Sequence, residues 1–234
     1  MDGMTTPDEH QVKSRDERAR LDAAAARAGS DPAAAIALLP WLGASIDADA
    51  AASRFEEWGL STVIDENTGS AVVPASVFAA LHARAGVDAD FPIGNAGVLH
   101  VYGYLLSTTP TPYGLKRDRW LDGALARAYG LAPDAFLPWT FPAAGTLLAR
   151  VTGAASALLS REPARREQLG SGAVGVTAIG SPPTSGRSAP SALAYAVTRG
   201  SELRLITTFP VASPETVLAA VDTDGPRLRW NAVA

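Results

Sequence analysis

The chain has 234 residues, enough for one domain or a domain with an appendage, and its composition of 47% hydrophobic and 19% charged residues is typical of globular proteins. A net charge of −4 argues against nucleic acid as the main partner, because nucleic-acid binding favours a basic surface. The absence of cysteine excludes disulfides, thiolate nucleophiles and cysteine-ligated metals.

No segment of the sequence is typical of a membrane span or an export signal. The first 20 residues hold no apolar core region, and no run of 18 apolar residues occurs anywhere. We therefore expect a soluble, cytoplasmic protein without membrane partners. The high alanine content is typical of a GC-rich bacterial genome.

The N-terminal part of the chain predicts a helical region that follows a tail. Residues 1–15 are polar and without periodicity, which predicts a mobile tail. The predicted helices cover residues 16–28, 32–39, 47–58 and 74–85. The segments 61–65 and 70–74 flank a short turn that ends in glycine, and they predict a hairpin. His82 has no second ligand at metal spacing, so we expect a histidine at the surface or at an edge.

The stretch 98–106 concentrates chemically able side chains and predicts a β-strand, because it is rich in Val, Leu and Tyr. Side chains alternate between the two faces of a strand, so His100, Tyr102 and Tyr104 would share one face and border a concave pocket. An imidazole and two phenols can donate, accept and exchange protons. The alternative is that these rings pack in the core with their polar atoms at its edge.

A basic cluster follows this stretch at the start of a helix predicted over residues 115–129. Lys116, Arg117 and Arg119 crowd the first turn, where unpaired backbone N–H groups favour anions and disfavour cations. The cluster therefore predicts a negative group nearby. That group is either a protein carboxylate of the same turn, giving surface ion pairs, or a carboxylate or phosphate of a substrate.

Four further residues are candidates for substrate binding. Asn95 and Tyr113 lie on either side of the central stretch in the sequence. Arg229 and Asn231 share one face of a strand predicted over 227–233, and they would add an anion clamp if that strand lay beside the central one. The alternative is the solvated outer face of an edge strand.

The C-terminal part of the chain is strand-like and begins after an aromatic connector, residues 131–142. Further predicted segments are a helix over 144–160, a charged surface run over 161–169, strands over 173–179, 192–198 and 202–209, and a short helix over 214–221. The segment 180–190 has almost no apolar residue, which is typical of a mobile loop or a functional lid.

A glycine-rich motif, Gly170 to Gly175, matches the dinucleotide-binding pattern by its letters alone. It lacks the preceding strand, the following helix and the later acid that this fingerprint requires. The sequence also has no nucleophile-elbow motif, no phosphate loop and no histidine pair for a metal. We therefore expect neither a cofactor nor a metal.

These patterns predict an α+β fold, with a helical N-terminal region over 16–90 that carries a small hairpin. Residues 91–234 form the core that carries the site, in one compact unit with 16–90, around a mostly antiparallel sheet of the central and C-terminal strands. Two functions stay open. The first is a cofactor-free, metal-independent lyase, isomerase or hydrolase acting on a small anionic metabolite through His100, Tyr102 and Tyr104. The second is a non-catalytic module that binds a small ligand or a protein through that face, and a homo-oligomer is compatible with either.

Overall fold

The structure, a computed structural model, describes residues 7–170, 172–181, 190–223 and 232–233, and its architecture is α+β as predicted. Helices of the N-terminal part and a four-stranded antiparallel sheet of the C-terminal part share one hydrophobic core. The elements are α1 (Pro7–Ala28), α2 (Pro32–Ala37), α3 (Pro40–Ala51), β1 (Leu60–Thr62), α4 (Ala75–Ala85), β2 (Ile93–Asn95), β3 (Pro110–Thr111), β4 (Gly114–Leu115), α5 (Asp118–Leu121), α6 (Ala124–Ala128), α7 (Leu147–Arg161), β5 (Arg165–Gly170), β6 (Ala173–Gly180), β7 (Ser191–Arg199), β8 (Glu202–Val211), α8 (Pro214–Thr223) and β9 (Ala232–Val233).

The larger sheet has the strand order β5-β6-β7-β8, and every neighbouring pair is antiparallel. Consecutive residues of β7 from Ala192 to Ala196 are fully buried, which means that both faces of this strand are covered. The register places Thr177, Tyr195 and Thr207 in one row across three strands. The pairing register between β7 and β8 shifts between Tyr195 and Ala196, opposite the part of β8 that contributes to the candidate site.

A smaller sheet has the order β2-β1-β9 and positions Ser61, which is opposite Gly94 on one side and Ala232 on the other. The predicted hairpin over 61–65 and 70–74 is reduced to a single bridge between Ile64 and Ala71. Strand β1 pairs instead with β2 and β9, which are distant in sequence.

The stretch 98–106 is helical, and the predicted strand is therefore wrong. Val98–Tyr102 forms a π-helical turn that continues into a 3-10 turn at Gly103–Leu106. Asn95 caps its start, since Oδ1 accepts a hydrogen bond from the Val98 N–H at 3.1 Å. All side chains of these turns are buried, as in a helix that is apolar all round. A short run of Val, Leu and Tyr fits a buried strand and a buried helix equally well.

Several predicted boundaries also differ in the first half of the chain. Helix α1 begins at Pro7, so residues 7–15 are helical where we expected a tail, and residues 1–6 lie outside the described ranges. The helix predicted over 47–58 begins earlier, at Pro40, because proline is favoured in the first helical turn. It ends at Ala51 and is followed by a 3-10 turn, Arg54–Glu57.

In the second half one prediction fails for a local reason, and one predicted surface run contains a strand that was not assigned. The helix predicted over 115–129 is broken at Gly123, whose φ of 72° is left-handed, so it forms the short helices α5 and α6. The charged run predicted over 161–169 contains the edge strand β5, whose outer residues are solvated. Charge alone therefore did not distinguish a surface loop from an edge strand.

Other elements follow the sequence patterns closely. Confirmed are the helices predicted over 32–39, 74–85, 144–160 and 214–221 and the strands predicted over 173–179, 192–198 and 202–209. The connector packs on the core through the buried rings of Phe136 and Trp139. Most of the loop predicted over 180–190 and most of the strand predicted over 227–233 lie outside the described residues. Among the helices that the structure describes, none is long and apolar enough to cross a bilayer.

Candidate functional site

Arg119 on α5 is the centre of the candidate site. Its Nη1 donates hydrogen bonds to the carbonyl oxygen of Thr208 at 3.0 Å and to Oγ1 of Thr207 at 3.4 Å, both on β8. Its Nε and Nη2 make no hydrogen bond to any residue that the structure describes, and no carboxylate of those residues pairs with it. The side chain is partly buried, and neither of these two donors is among the buried polar atoms that lack a partner, so both are within reach of solvent.

Three aromatic rings surround this guanidinium. Its Cζ lies 5.1 Å from the ring centroid of Tyr104, 5.7 Å from that of Trp120 and 6.0 Å from that of Phe209. Such contacts stabilise a cation by about 0.5–2 kcal/mol each, more where water is excluded. Burial lowers the pKa of Arg119, but a guanidinium stays protonated at neutral pH.

Lys116 and Asp65 form an ion pair beside Arg119. The Nζ of Lys116 lies 2.6 Å from Oδ2 of Asp65, and the two side chains are only 15% and 0% exposed. Oδ1 of Asp65 accepts hydrogen bonds from the N–H groups of Asn67 and Thr68. Burial alone would raise the pKa of Asp65, but Lys116 and these N–H groups lower it. Burial and then Arg119 lower the pKa of Lys116 despite its partner.

His100 lies on the other side of Tyr104 and contacts Ser61. Its Nε2 is 2.9 Å from Oγ of Ser61, and its ring stacks on Tyr104 with centroids 4.8 Å apart. Burial, and then the charges of Arg119 and Lys116, hold the pKa of His100 well below its usual value. The imidazole is therefore neutral at pH 7. We call Ser61, Asp65, His100, Tyr104, Lys116 and Arg119 the Arg119 cluster.

Tyr102 belongs to a different set of contacts, the Asp49 network of Asp49, Arg54, Tyr102 and Thr146. The Tyr102 hydroxyl donates a very short hydrogen bond to Oδ2 of Asp49. Oδ1 of Asp49 accepts a hydrogen bond from Thr146 at 2.7 Å and lies 3.5 Å from Nε of Arg54. Burial raises the pKa of Asp49, and burial and Asp49 raise the pKa of Tyr102.

The face that we expected to combine His100 with Tyr102 therefore does not exist. In a helical turn these side chains diverge, and His100, Tyr102, Leu99 and Val101 are all buried. In a β-strand, whose side chains alternate between two faces, His100 and Tyr102 would lie on one face and Leu99 and Val101 on the other. A helix does not make that separation. Of the three predicted catalytic residues, His100 and Tyr104 lie together and Tyr102 lies in the other network.

The other predicted binding residues have various positions. Asn95 is buried, and its Nδ2 donates to the carbonyl oxygen of Phe55 at 2.8 Å, so its amide is engaged on both sides with backbone. Tyr113 is 83% exposed on the turn between β3 and β4. Arg117 pairs with Asp22 at 2.9 Å. Arg229 and Asn231 lie outside the described residues.

His82, which we expected at the surface or at an edge, is buried, and that prediction is wrong. Its Nδ1 donates to the carbonyl oxygen of Phe78 at 2.9 Å, and its Nε2 accepts from the N–H of Asn95 at 3.1 Å. Both ring nitrogens are thus engaged with backbone in the neutral form, and burial lowers the pKa of His82. It has a structural role, holding α4 against β2.

Sequence reasoning missed Ser61, Asp65, Thr207 and Thr208. Ser61 and Asp65 begin and end the first strand of the predicted hairpin, where polar residues are ordinary, and the two adjacent threonines lie between apolar residues of a strand. The available signal was Lys116 and Arg119 themselves, because buried cations require acceptors from some other part of the chain.

A depression with a volume of about 400 Å³ lies between α7 and the connector. Its lining is mainly apolar and includes Leu131, Phe136, Arg150 and Gly153, none of which belongs to the Arg119 cluster. Arg150 donates to the carbonyl oxygens of Ala135 and Leu137, so its charge holds the connector in place.

Within the described ranges, no group of three or more His, Asp or Glu side chains is arranged to hold a metal ion. No family model matches the chain, and neither a curated protein nor a solved structure matches it.

Proposed function

We propose that this protein binds a small anionic molecule at the Arg119 cluster. The observation that carries the proposal is the partly buried guanidinium of Arg119, with two donors that no described residue uses. A cation removed from water loses hydration, and an acceptor of opposite charge offsets that loss. Charge-assisted hydrogen bonds from a guanidinium to an anion are roughly twice as strong as neutral ones.

The neighbouring cations of the same turn support this assignment by contrast. Lys116 pairs with Asp65 and Arg117 pairs with Asp22, although Nη1 of Arg117 is itself buried without a hydrogen-bond partner among the described residues. Arg119 is the member of this trio without a described carboxylate partner. A structural role, in which aromatic rings and the Thr208 carbonyl hold the side chain, gives the Nε and Nη2 donors no partner among the described residues.

Thermal unfolding with added acetate and added phosphate tests the proposal. We expect an anion to raise the melting temperature of wild type and to have no effect on Arg119→Ala. A ligand at 100 times its Kd adds about 2.7 kcal/mol of stability. Arg117→Ala is the matched control, because it removes a guanidinium from the same turn and should keep the response. Equal responses of wild type and Arg119→Ala would overturn the proposal.

A second candidate function, acid–base catalysis on the bound anion, is favoured by the pairing of His100 with Ser61. A hydroxyl within hydrogen-bond reach of a neutral imidazole is the arrangement that activates a nucleophile. His100 would take the Ser61 proton as Ser61 Oγ attacks a carbonyl carbon, and would return that proton to the leaving group. Arg119 would hold the anionic end of the substrate. Tyr102 is not needed for this role, because its hydroxyl is committed to Asp49.

Covalent labelling tests the catalytic candidate separately. Because Ser61 and His100 are buried, the probe is a small one, diisopropyl fluorophosphate. We expect modification at Ser61 of wild type, located by peptide mass spectrometry, and none in Ser61→Ala. His100→Gln should react far more slowly, because the base is absent. An unmodified wild-type Ser61 would contradict the catalytic candidate and leave anion binding as it stands.

A further inference from the structure

We propose that Ile206 is a positioning residue for His100: its main-chain carbonyl faces Nδ1 of the imidazole and selects the tautomer in which Nδ1 carries the proton. Nε2 is then unprotonated toward Ser61. This proposal rests on the catalytic candidate described above and names the group that would orient its base. Three observations carry it: the surroundings of the two ring nitrogens, an irregularity in β8, and the attachment of β8 to the rest of the site.

The two ring nitrogens of His100 have different surroundings. Nε2 lies 2.9 Å from Oγ of Ser61. Nδ1 is buried and has no hydrogen bond of ordinary distance and angle with any described residue. Ile206 nevertheless acts on this ring, because a hydrogen-bonding contact with its main chain opposes the effect of burial on the pKa of His100. Since Ser61 occupies Nε2, Nδ1 is the nitrogen left to face that carbonyl.

The pairing of β7 with β8 explains why this carbonyl is available. Thr207 is opposite Tyr195, whereas Leu205 is opposite the very next residue of β7. Ile206 lies between these two pairs and has no partner residue in β7. Such a count defines a β-bulge, whose extra residue lies outside the regular ladder, and bulges are frequent beside active sites. The bulge thus allows Ile206 to serve a group outside the sheet.

The group on the Nδ1 side decides the tautomer, whereas the group on the Nε2 side does not. A serine hydroxyl can donate or accept, so Ser61 fits either tautomer of His100, but a main-chain carbonyl only accepts. With the proton on Nε2, the lone pair of Nδ1 would face the Ile206 oxygen inside the core, and the two would repel. With the proton on Nδ1, the contact becomes a hydrogen bond, and Ser61 donates to Nε2.

The same part of β8 is attached to both sides of the site, which holds the carbonyl in one direction. The carbonyl of Leu205 accepts a hydrogen bond from the N–H of Gly59 at 2.8 Å, two residues before Ser61. The side chain of Ile206 packs against Gly59, since a Cβ at that glycine would lie 2.7 Å from Cδ1 of Ile206. The two residues that follow Ile206 hold Arg119. A fixed acceptor is what a positioning role requires.

NMR correlations between the ring protons and the ring nitrogens of the isotope-labelled protein test the tautomer at neutral pH. His82 is the internal reference, because its Nδ1 donates to the carbonyl of Phe78 and its Nε2 accepts from the N–H of Asn95. We expect His100 to show the same pattern, a protonated Nδ1 and an unprotonated Nε2. The signals of His100 are identified by their loss in His100→Gln. A protonated Nε2 in wild type would overturn the proposal, whatever the reactivity of Ser61.

Ser61→Ala separates the two groups that could select the tautomer. It removes the hydroxyl at Nε2 and leaves the carbonyl of Ile206 in place, so the proton of His100 should stay on Nδ1. A change of tautomer in this variant would show that Ser61 selects it, and would overturn the proposal. Unchanged signals of His82 and an intact melting transition confirm that the variant is folded.

Weakening the Ile206 carbonyl tests its effect on reactivity. Replacing Thr207 by its α-hydroxy acid converts the peptide group after Ile206 into an ester, whose carbonyl is a poorer acceptor. We expect labelling of Ser61 by diisopropyl fluorophosphate to slow by about tenfold, because the imidazole is less well oriented. The same replacement at Thr208 weakens the carbonyl of Thr207 instead and is the matched control. Equal labelling rates of the two esters would overturn the positioning role.

The outcomes separate this proposal from the catalytic candidate on which it rests. An unlabelled wild-type Ser61 would contradict the catalytic candidate alone, and the tautomer measured in wild type and in Ser61→Ala would then decide the role of Ile206. A labelled Ser61 together with a protonated Nε2 of His100 would keep the catalytic candidate and overturn the role of Ile206.

Discussion

The Asp49 network and the Arg119 cluster both surround the helical turns at 98–106, yet they satisfy buried charge in opposite ways. Both oxygens of Asp49 are engaged by the protein, Oδ2 by Tyr102 and Oδ1 by Thr146 and Arg54. The guanidinium of Arg119 is engaged through Nη1 alone. The carboxylate of Asp49 thus has a complete set of protein partners, whereas the unused donors of partly buried Arg119 are the basis of the anion binding that we propose.

Two tyrosines that the predicted strand placed on one face belong to different sets of contacts in the structure. Tyr102 and Tyr104 are two positions apart, but one serves Asp49 and the other lies between His100 and Arg119. We therefore expect substitutions in the Asp49 network to change stability alone. Substitutions in the Arg119 cluster should affect stability where a protein ion pair is broken, and ligand binding where it is not.

The largest effect is expected from Asp49→Ala. It leaves the hydroxyls of Tyr102 and Thr146 without their acceptor, and each buried unsatisfied group costs about 1–3 kcal/mol. We expect urea unfolding to show a loss of about 4 kcal/mol. Asp47→Ala is the control, because its pairing with Arg84 is exposed and should contribute less than about 1 kcal/mol. Similar losses from both variants would show that the network is not a structural centre.

Lys116→Met is expected to have the second largest effect, and it breaks the ion pair of the Arg119 cluster with Asp65. It leaves Asp65 buried without its cation, although two backbone N–H groups still bind the carboxylate. We expect a loss of about 3 kcal/mol in urea unfolding. Arg84→Met is a close control, because its ion pair has the same 2.6 Å separation but is exposed. A loss below about 1 kcal/mol for Lys116→Met would place this pair with the weak surface pairs.

Tyr102→Phe removes a single hydroxyl from the Asp49 network. Oδ2 of Asp49 loses its donor inside the core, and we expect a loss of about 2 kcal/mol in the free energy of unfolding. Tyr113→Phe makes the same chemical change at a side chain that is 83% exposed, so it should alter stability by less than about 0.5 kcal/mol. Anion binding at Arg119 should be the same in both variants. A weakened anion response in Tyr102→Phe would mean that the two clusters are coupled.

The sequence predicted the C-terminal strands well because their signals are local. Residues 192–198 and 202–209 are strand-like segments rich in apolar residues and threonine, and they are joined by a turn at Gly200, whose φ is 62°. The stretch 98–106 carried no such signal. A short apolar run without turn residues fits either period, and its packing against α1, α4 and β2 has no signal within the run itself.

The sequence indicated two cations of the candidate site but not the residues that pair with them. Crowded cations identified Lys116 and Arg119, since charges gathered in one turn require partners. Their partners Asp65 and Thr207 are 51 and 88 positions away, and such long-range pairing has no local pattern. His100 and Tyr104 were expected to share a strand face, and the structure instead stacks their rings in a helical turn, with Arg119 beside Tyr104.

The smallest predicted effect uses pH, to which the two clusters respond in opposite directions. The pKa of His100 is lowered by burial and then by Arg119 and Lys116, so from about pH 6.5 downward the unfolded chain binds a proton that the folded chain refuses. Its contribution to stability is thus complete above that pH and is lost on acidification. The pKa of Asp49 is raised, so its linkage favours the folded state as pH falls.

Comparing wild type with His100→Gln isolates the contribution of His100 to the pH dependence of stability. Asp49 and His82 are present in both proteins, so their contributions to that pH dependence cancel in the difference. Urea unfolding at about pH 7.5 and about pH 5.5 gives the change in stability for each protein. A single histidine that stays neutral when folded accounts for a loss of about 1.4 kcal/mol over this interval. Wild type should therefore lose about that much more stability than His100→Gln. Equal losses would mean that folded His100 takes up a proton as readily as the unfolded chain does, and that the field of Arg119 and Lys116 does not act on it.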